Sequence, residues 1–132
     1  MNLTPAHALL AALTLLGACA APPPPPAPRG GVTELMERPT ERALVEGIRA
    51  YDDGQYAAAE AALRRALAGD LASGRDRASA HKLLAFITCT SDRLAECEAA
   101  FRAALTADPG FTLSRSEAGH PLWGPVYRRV LP

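Results

Sequence analysis

The sequence predicts an all-α fold of two stacked helical hairpins closed by a C-terminal cap, and three observations predict it. Apolar residues recur at spacings of three and four in four successive segments between residues 40 and 109, which puts each set on one face of a helix. The fourth segment repeats the second at a constant offset, Tyr56, Ala59, Leu63, Ala66 and Leu67 falling on Leu94, Cys97, Phe101, Ala104 and Leu105. Such self-similarity marks stacked units that cannot bury their apolar faces alone. Alanine and leucine dominate the apolar set and β-branched residues are few, a balance that favours helices over strands. At 132 residues one domain with a modest core is expected. Fourteen basic side chains cancel fourteen acidic ones, so no broad field recruits nucleic acid or an anionic surface, and neither is expected as a partner.

Residues 1–18 carry no charged side chain, and residues 8–16 are almost continuously apolar. That run is too short to cross a bilayer as a helix and reads as an export signal peptide. It ends in Leu16-Gly17-Ala18-Cys19, which resembles the lipobox of bacterial lipoproteins. The resemblance implies that the Cys19 thiol receives diacylglycerol and becomes the first residue of the mature chain. Each buried CH₂ of its acyl chains would contribute about 0.8 kcal/mol, so two or three chains anchor permanently. Ala20 follows where related lipoproteins retained in the inner membrane carry aspartate, which implies the outer membrane, with the domain facing the periplasm. Residues 19–32 contain five consecutive prolines, Pro22 to Pro26, and then Pro28. They force a polyproline II spacer reaching on the order of 40 Å; a proline-reading partner domain is the weaker alternative.

The helical domain occupies residues 33–132, with units at about 40–71 and 74–109 and a cap at 110–132. A helical turn over residues 33–38 is expected to stop before Pro39, because the residue before proline is pushed out of the α region, so the first long helix should start near Thr40. Ala43, Leu44, Gly47, Ile48 and Tyr51 share a face, and Asp52-Asp53-Gly54 supplies a turn into the second helix. Ala80, Leu83, Leu84 and Ile87 share a face of the third helix. The fourth begins after residues 90–93, and Asp108-Pro109 closes the unit. Gly47, Gly54, Tyr56, Ala59, Leu63 and Ala66 in the first unit resemble the tetratricopeptide (TPR) pattern, and Ala85, Asp92, Leu94, Cys97, Phe101, Ala104 and Pro109 follow it with substitutions in the second. Small residues at Gly47, Ala59, Ala85 and Cys97 let paired helices approach closely. Asp92 replaces the turn glycine, tolerable because aspartate enters left-handed conformations more readily than most residues.

The linker carries four residues more than the family's unit length of about 34 residues. Within it Ser73-Gly74-Arg75-Asp76 reads as a capping box for an early helix start. Beyond Pro109, Phe111 and Leu113 are expected to dock on the second unit and residues 114–118 to form a short helix. Gly119-His120-Pro121 breaks that helix. The remaining tail, with Trp123 and Tyr127 as its candidate docking residues, is expected to cap the stack, since two units alone leave apolar surface bare.

Little here suggests catalysis. No nucleophile elbow, zinc-protease motif or phosphate loop occurs, and His81 and His120 lack the clustered carboxylates of a metal site. No catalytic residue, metal or cofactor is expected, and the chain reads as a non-enzyme. Glu96 follows Arg93 by three residues and Glu98 precedes Arg102 by four, which is surface ion pairing. With Cys19 lipidated, Cys89 and Cys97 flank a hairpin turn in an oxidising compartment. Either they are bridged, or their Cβ vectors diverge and each is a small buried residue.

The resemblance to TPR stacks implies a groove lined by first helices that holds a peptide or partner helix, with Ile48, Tyr51, Lys82 and Phe86 facing it and Lys82 meeting a carboxylate. The alternative leaves Ile48 and Phe86 in the core and Lys82 merely exposed. Residues 85–91 (AFITCTS) and 117–127 (EAGHPLWGPVY) further resemble the TssQ family of type VI secretion associated lipoproteins. That resemblance implies a protein-protein interaction scaffold, accessory to the envelope complex of the secretion system, with protein partners in the cell envelope. A pilotin or outer-membrane assembly lipoprotein is the alternative, and an envelope hydrolase or its regulator a more distant one.

Overall fold

The computed structural model describes residues 38–132, and the expected signal peptide, Cys19, the proline-rich segment and residues 33–37 lie outside the described residues. Six helices and no strand occur among the described residues: α1 (Pro39–Asp52), α2 (Tyr56–Ala68), α3 (Gly74–Thr90), α4 (Leu94–Ala107), α5 (Arg115–Ala118) and α6 (Gly124–Val130). α1 pairs with α2 and α3 with α4; α3 packs on both helices of the first hairpin, and α6 lies on α4. Pro39 is the first residue of α1, one residue ahead of the start expected near Thr40. Its missing N–H would have had no intrahelical partner there, and its fixed φ suits a helix start.

The two hairpin turns are built alike. Gln55 N–H donates to Ala50 O at 2.8 Å, and Arg93 N–H, 38 positions on, donates to Thr88 O at 2.9 Å. Each bond reaches back over a left-handed residue, Gly54 at φ 72° and Asp92 at φ 59°, and so satisfies a carbonyl at the helix end. Gly47 answers to a different need. A Cβ built there would lie 2.7 Å from Leu63 Cγ, so any larger residue would separate α1 from α2.

Two cores flank α3. Ala43 and Leu44 of α1, Ala59, Leu63 and Ala66 of α2, and Leu71 of the linker meet Ala80, Leu84 and Ile87 of α3. Ala85, Phe86 and Cys89 of α3 instead join Cys97 and Phe101 of α4, Leu113, and Val126, Tyr127 and Val130 of α6. Residues 84–89 are consequently buried without a break, as befits a helix enclosed on more than one side. Thr88 is tolerated there because its hydroxyl donates to Leu84 O at 2.7 Å.

Several expectations require correction. Tyr56 and Leu94, read as members of apolar stripes, are 51% and 54% exposed. Each is the first residue of its helix, so its side chain leans back past the end of the packed region. At Ser73 only half of the expected capping box forms, the side chain accepting from Asp76 N–H at 3.2 Å. The reciprocal box occurs at Ser114 and Glu117 instead. Beyond Pro121 the tail adds an element that the sequence reading did not assign, a seven-residue helix over residues 124–130.

Candidate partner groove

Ile48 and Tyr51 are three residues apart on α1, and Lys82 and Phe86 four apart on α3, so each pair shares a helix face. The stacking of the hairpins brings the two faces together along a groove of about 460 Å³, which Leu83, Ser79 and Asp52 also line. Tyr51 stands 6.5 Å from the Phe86 ring and edge-on to Tyr56 at 5.5 Å. Burial, followed by the nearby Tyr56, Glu117 and Asp52, raises the Tyr51 phenol above its ordinary pKa, so it stays a neutral hydrogen-bonding group.

Within this groove Phe86 and Lys82 are both engaged by the chain's own tail. Phe86 is only 3% exposed, and Trp123 stacks on it with ring centroids 4.2 Å apart and planes 20° apart. His120 covers the indole at 3.3 Å, and Trp123 Nε1 donates to Glu117 O at 2.8 Å. Lys82 Nζ donates to Glu117 Oε1 at 2.7 Å and stands 5.7 Å from the Phe86 ring centroid. The carboxylate foreseen for Lys82 is thus present, but in cis.

Glu117 carries two tasks. Its Oε1 meets Lys82, while its Oε2 accepts from Ser114 N–H at 2.9 Å and closes the capping box of α5. Burial opposes its charge, but the Lys82 bond and the Ser114 contacts together outweigh burial and hold its pKa below the ordinary carboxylate value. Glu117 opens the 117–127 segment, and Ser114-x-x-Glu117 carries a capping-box signature in the sequence. Tyr127 lies deeper than Trp123, 5% exposed against Phe101 at 5.3 Å, and its hydroxyl accepts from Leu113 N–H at 3.3 Å.

A second groove of about 460 Å³ runs over α2, α3 and α4, floored by Leu84 and alanines and edged by Arg64, Glu96 and His81. His81 is half-buried, and burial together with the Arg77 charge lowers its pKa, favouring neutral imidazole. Beside this groove Glu60 accepts from Arg93 at 2.6 Å and Arg64 at 2.7 Å, and Arg64 reaches Glu96 at 3.0 Å. The Arg93–Glu96 and Arg102–Glu98 pairs form at 3.4 and 2.8 Å. Bonds from Arg93 and Arg64 hold the Glu60 carboxyl at about 2 against the burial that opposes it.

Cys89 and Cys97 are joined by a disulfide. Among the described residues no group of three His, Cys, Asp or Glu side chains is arranged to hold a metal, and no helix is long and apolar enough to cross a membrane. No protein-family model, curated protein or solved structure matches the chain.

Proposed function

We propose that the chain is a lipid-anchored envelope protein whose helical domain is a TPR-like scaffold for protein-protein interaction, without catalytic activity of its own. One observation carries this reading: Ile48, Tyr51, Lys82 and Phe86, from the first helices of both hairpins, line a single groove. Its mixture of aliphatic, aromatic and cationic groups suits a polypeptide segment better than a small polar substrate. The identical turn bonds 38 residues apart support the repeat reading. The lipobox resemblance at Cys19 supports tethering at the outer membrane on the periplasmic side, and the resemblance to TssQ lipoproteins supports an accessory place in the type VI secretion envelope complex.

A photo-crosslinking residue at Ile48, introduced into the full-length chain in its own cells, tests the reading. An adduct with an envelope subunit of the secretion machine is expected. An adduct with a secretin or barrel subunit would favour the pilotin alternative, and no envelope adduct would overturn the scaffold role. For anchoring, Cys19→Ser should move the protein out of the membrane fraction.

A further inference from the structure

One end of the groove is closed by residues 114–123, none of which is fully buried, Ala118 and Trp123 being partly buried against the edge of the second core. α5 has no buried residue, and its backbone packs on α6 alone. The segment around it reaches the hairpins through the Glu117–Lys82 ion pair and the Trp123–Phe86 stack. On either side the chain is fixed, by Leu113 before it and by Val126, Tyr127 and Val130 after it, all buried in the second core. Residues 114–123 therefore span two anchors and can leave the surface by giving up the partial contacts of Ala118 and Trp123 while Leu113, Val126, Tyr127 and Val130 stay buried, a local opening of the kind that surface segments with little buried area undergo.

Opening would have specific consequences. The Phe86 ring would lose its stacking partner, and the Lys82 ammonium, about a quarter exposed in the closed form, would lose its counter-charge beside an aromatic wall. A desolvated cation without a partner is costly, and so is an uncovered aromatic face. The replacement that cancels both losses is a carboxylate for Lys82 and a flat ring for Phe86, with neighbouring apolar side chains running along Ile48, Tyr51 and Leu83.

We propose that residues 114–123 are a releasable strap acting as an internal ligand. The partner segment recognised by the groove presents an acidic side chain and an aromatic ring, and displaces the strap from Lys82 and Phe86. This rests on the protein-binding role proposed above. The closed strap sets a threshold, since a groove open for only about one-tenth of the time binds about tenfold more weakly than its intrinsic affinity.

The chain contains one tryptophan, Trp123, so its emission reports on the strap alone. The probe is a labelled synthetic peptide copying residues 114–123 with phenylalanine in place of the tryptophan, added to the full-length protein. Binding is expected to be accompanied by a red shift of Trp123 emission, and a peptide with glutamine in place of its glutamate should not bind. In Glu117→Gln, which keeps the capping box because glutamine also closes it, the peptide should bind roughly tenfold more tightly. Lys82→Met should abolish binding while far-UV circular dichroism stays unchanged. Peptide bound without a shift in Trp123 emission, equal affinity of wild type and Glu117→Gln, or no binding to either would overturn the strap. The Ile48 crosslink distinguishes the two proposals: an envelope adduct with unmoved Trp123 leaves the scaffold standing without the strap, and peptide displacement without an adduct does the reverse.

Discussion

Hairpin α1/α2 turns through Gly54 and is buried against α3 on one side, whereas α3/α4 turns through Asp92, is bridged by Cys89–Cys97, and packs against the first hairpin and the tail. The repeated register therefore does not mean repeated energetics. At Gly47 the first hairpin has no room for a single Cβ, while Ala85, its counterpart 38 positions later, fits one and is fully buried. The first hairpin is held by close backbone approach, the second by side-chain bulk and a covalent link. Small-to-large changes should thus damage the first, and large-to-small changes the second.

Phe101→Ala should be the most damaging single change. Phe101 is fully buried between Phe86 and Tyr127, and its loss should cost about 3–5 kcal/mol in urea unfolding. It should also loosen the tail, detectable as a red-shifted Trp123 emission. Next, Cys89→Ala with Cys97→Ala opens the covalent loop between residues eight apart and should lower stability by about 2.6 kcal/mol in chain-entropy terms. Wild type under reducing conditions should behave alike. Gly47→Ala should cost about 1–3 kcal/mol, because Leu63 must leave its position to admit the methyl group. If Gly47→Ala proves neutral while Phe101→Ala does not, the close-approach account of the first hairpin fails.

The Glu60 network joins the two hairpins and should carry a pH signature. The folded pKa of Glu60, about 2, lies below its ordinary 4.5, so the unfolded chain binds the proton more readily. Its stabilisation is complete above about 4.5 and is lost as pH falls towards 2. Glu60→Gln should remove about 1 kcal/mol at neutral pH, its partners being partly exposed, and flatten the stability curve across that window. The smallest contrast lies in the turns: Gly54→Ala should destabilise by about 1 kcal/mol because of its positive φ, while Asp92→Gly should change stability by less than about 0.5 kcal/mol.

The four long helices were readable because each spans enough turns for its spacing to declare a face. In the tail the short helix after Ser114 was legible from the Gly119-His120-Pro121 break that ends it, but α6 was not, since seven residues are too few to establish a period. α3 was half-read. One apolar stripe was visible through Ala80, Leu84 and Ile87, but the second, through Phe86 and Cys89, exists only because tail and α4 wrap round it. The four groove residues could be named from register, yet not that Glu117 and Trp123 already engage Lys82 and Phe86, since those contacts join positions 35 and 37 apart. Sequence spacing likewise disclosed the Arg93–Glu96 pair within one helix, but not the bond from Arg93 to Glu60 on another.

α3 supplies residues to both cores, so neither core can dissolve while the other persists intact. Heat or denaturant should disperse them in one all-or-none transition. Amide exchange would record that bond between the halves: the central amides of α3 should exchange only when the entire domain opens, and those of α5 far sooner. A lesion at either end of the molecule should then shorten the protection of the same helix in its middle.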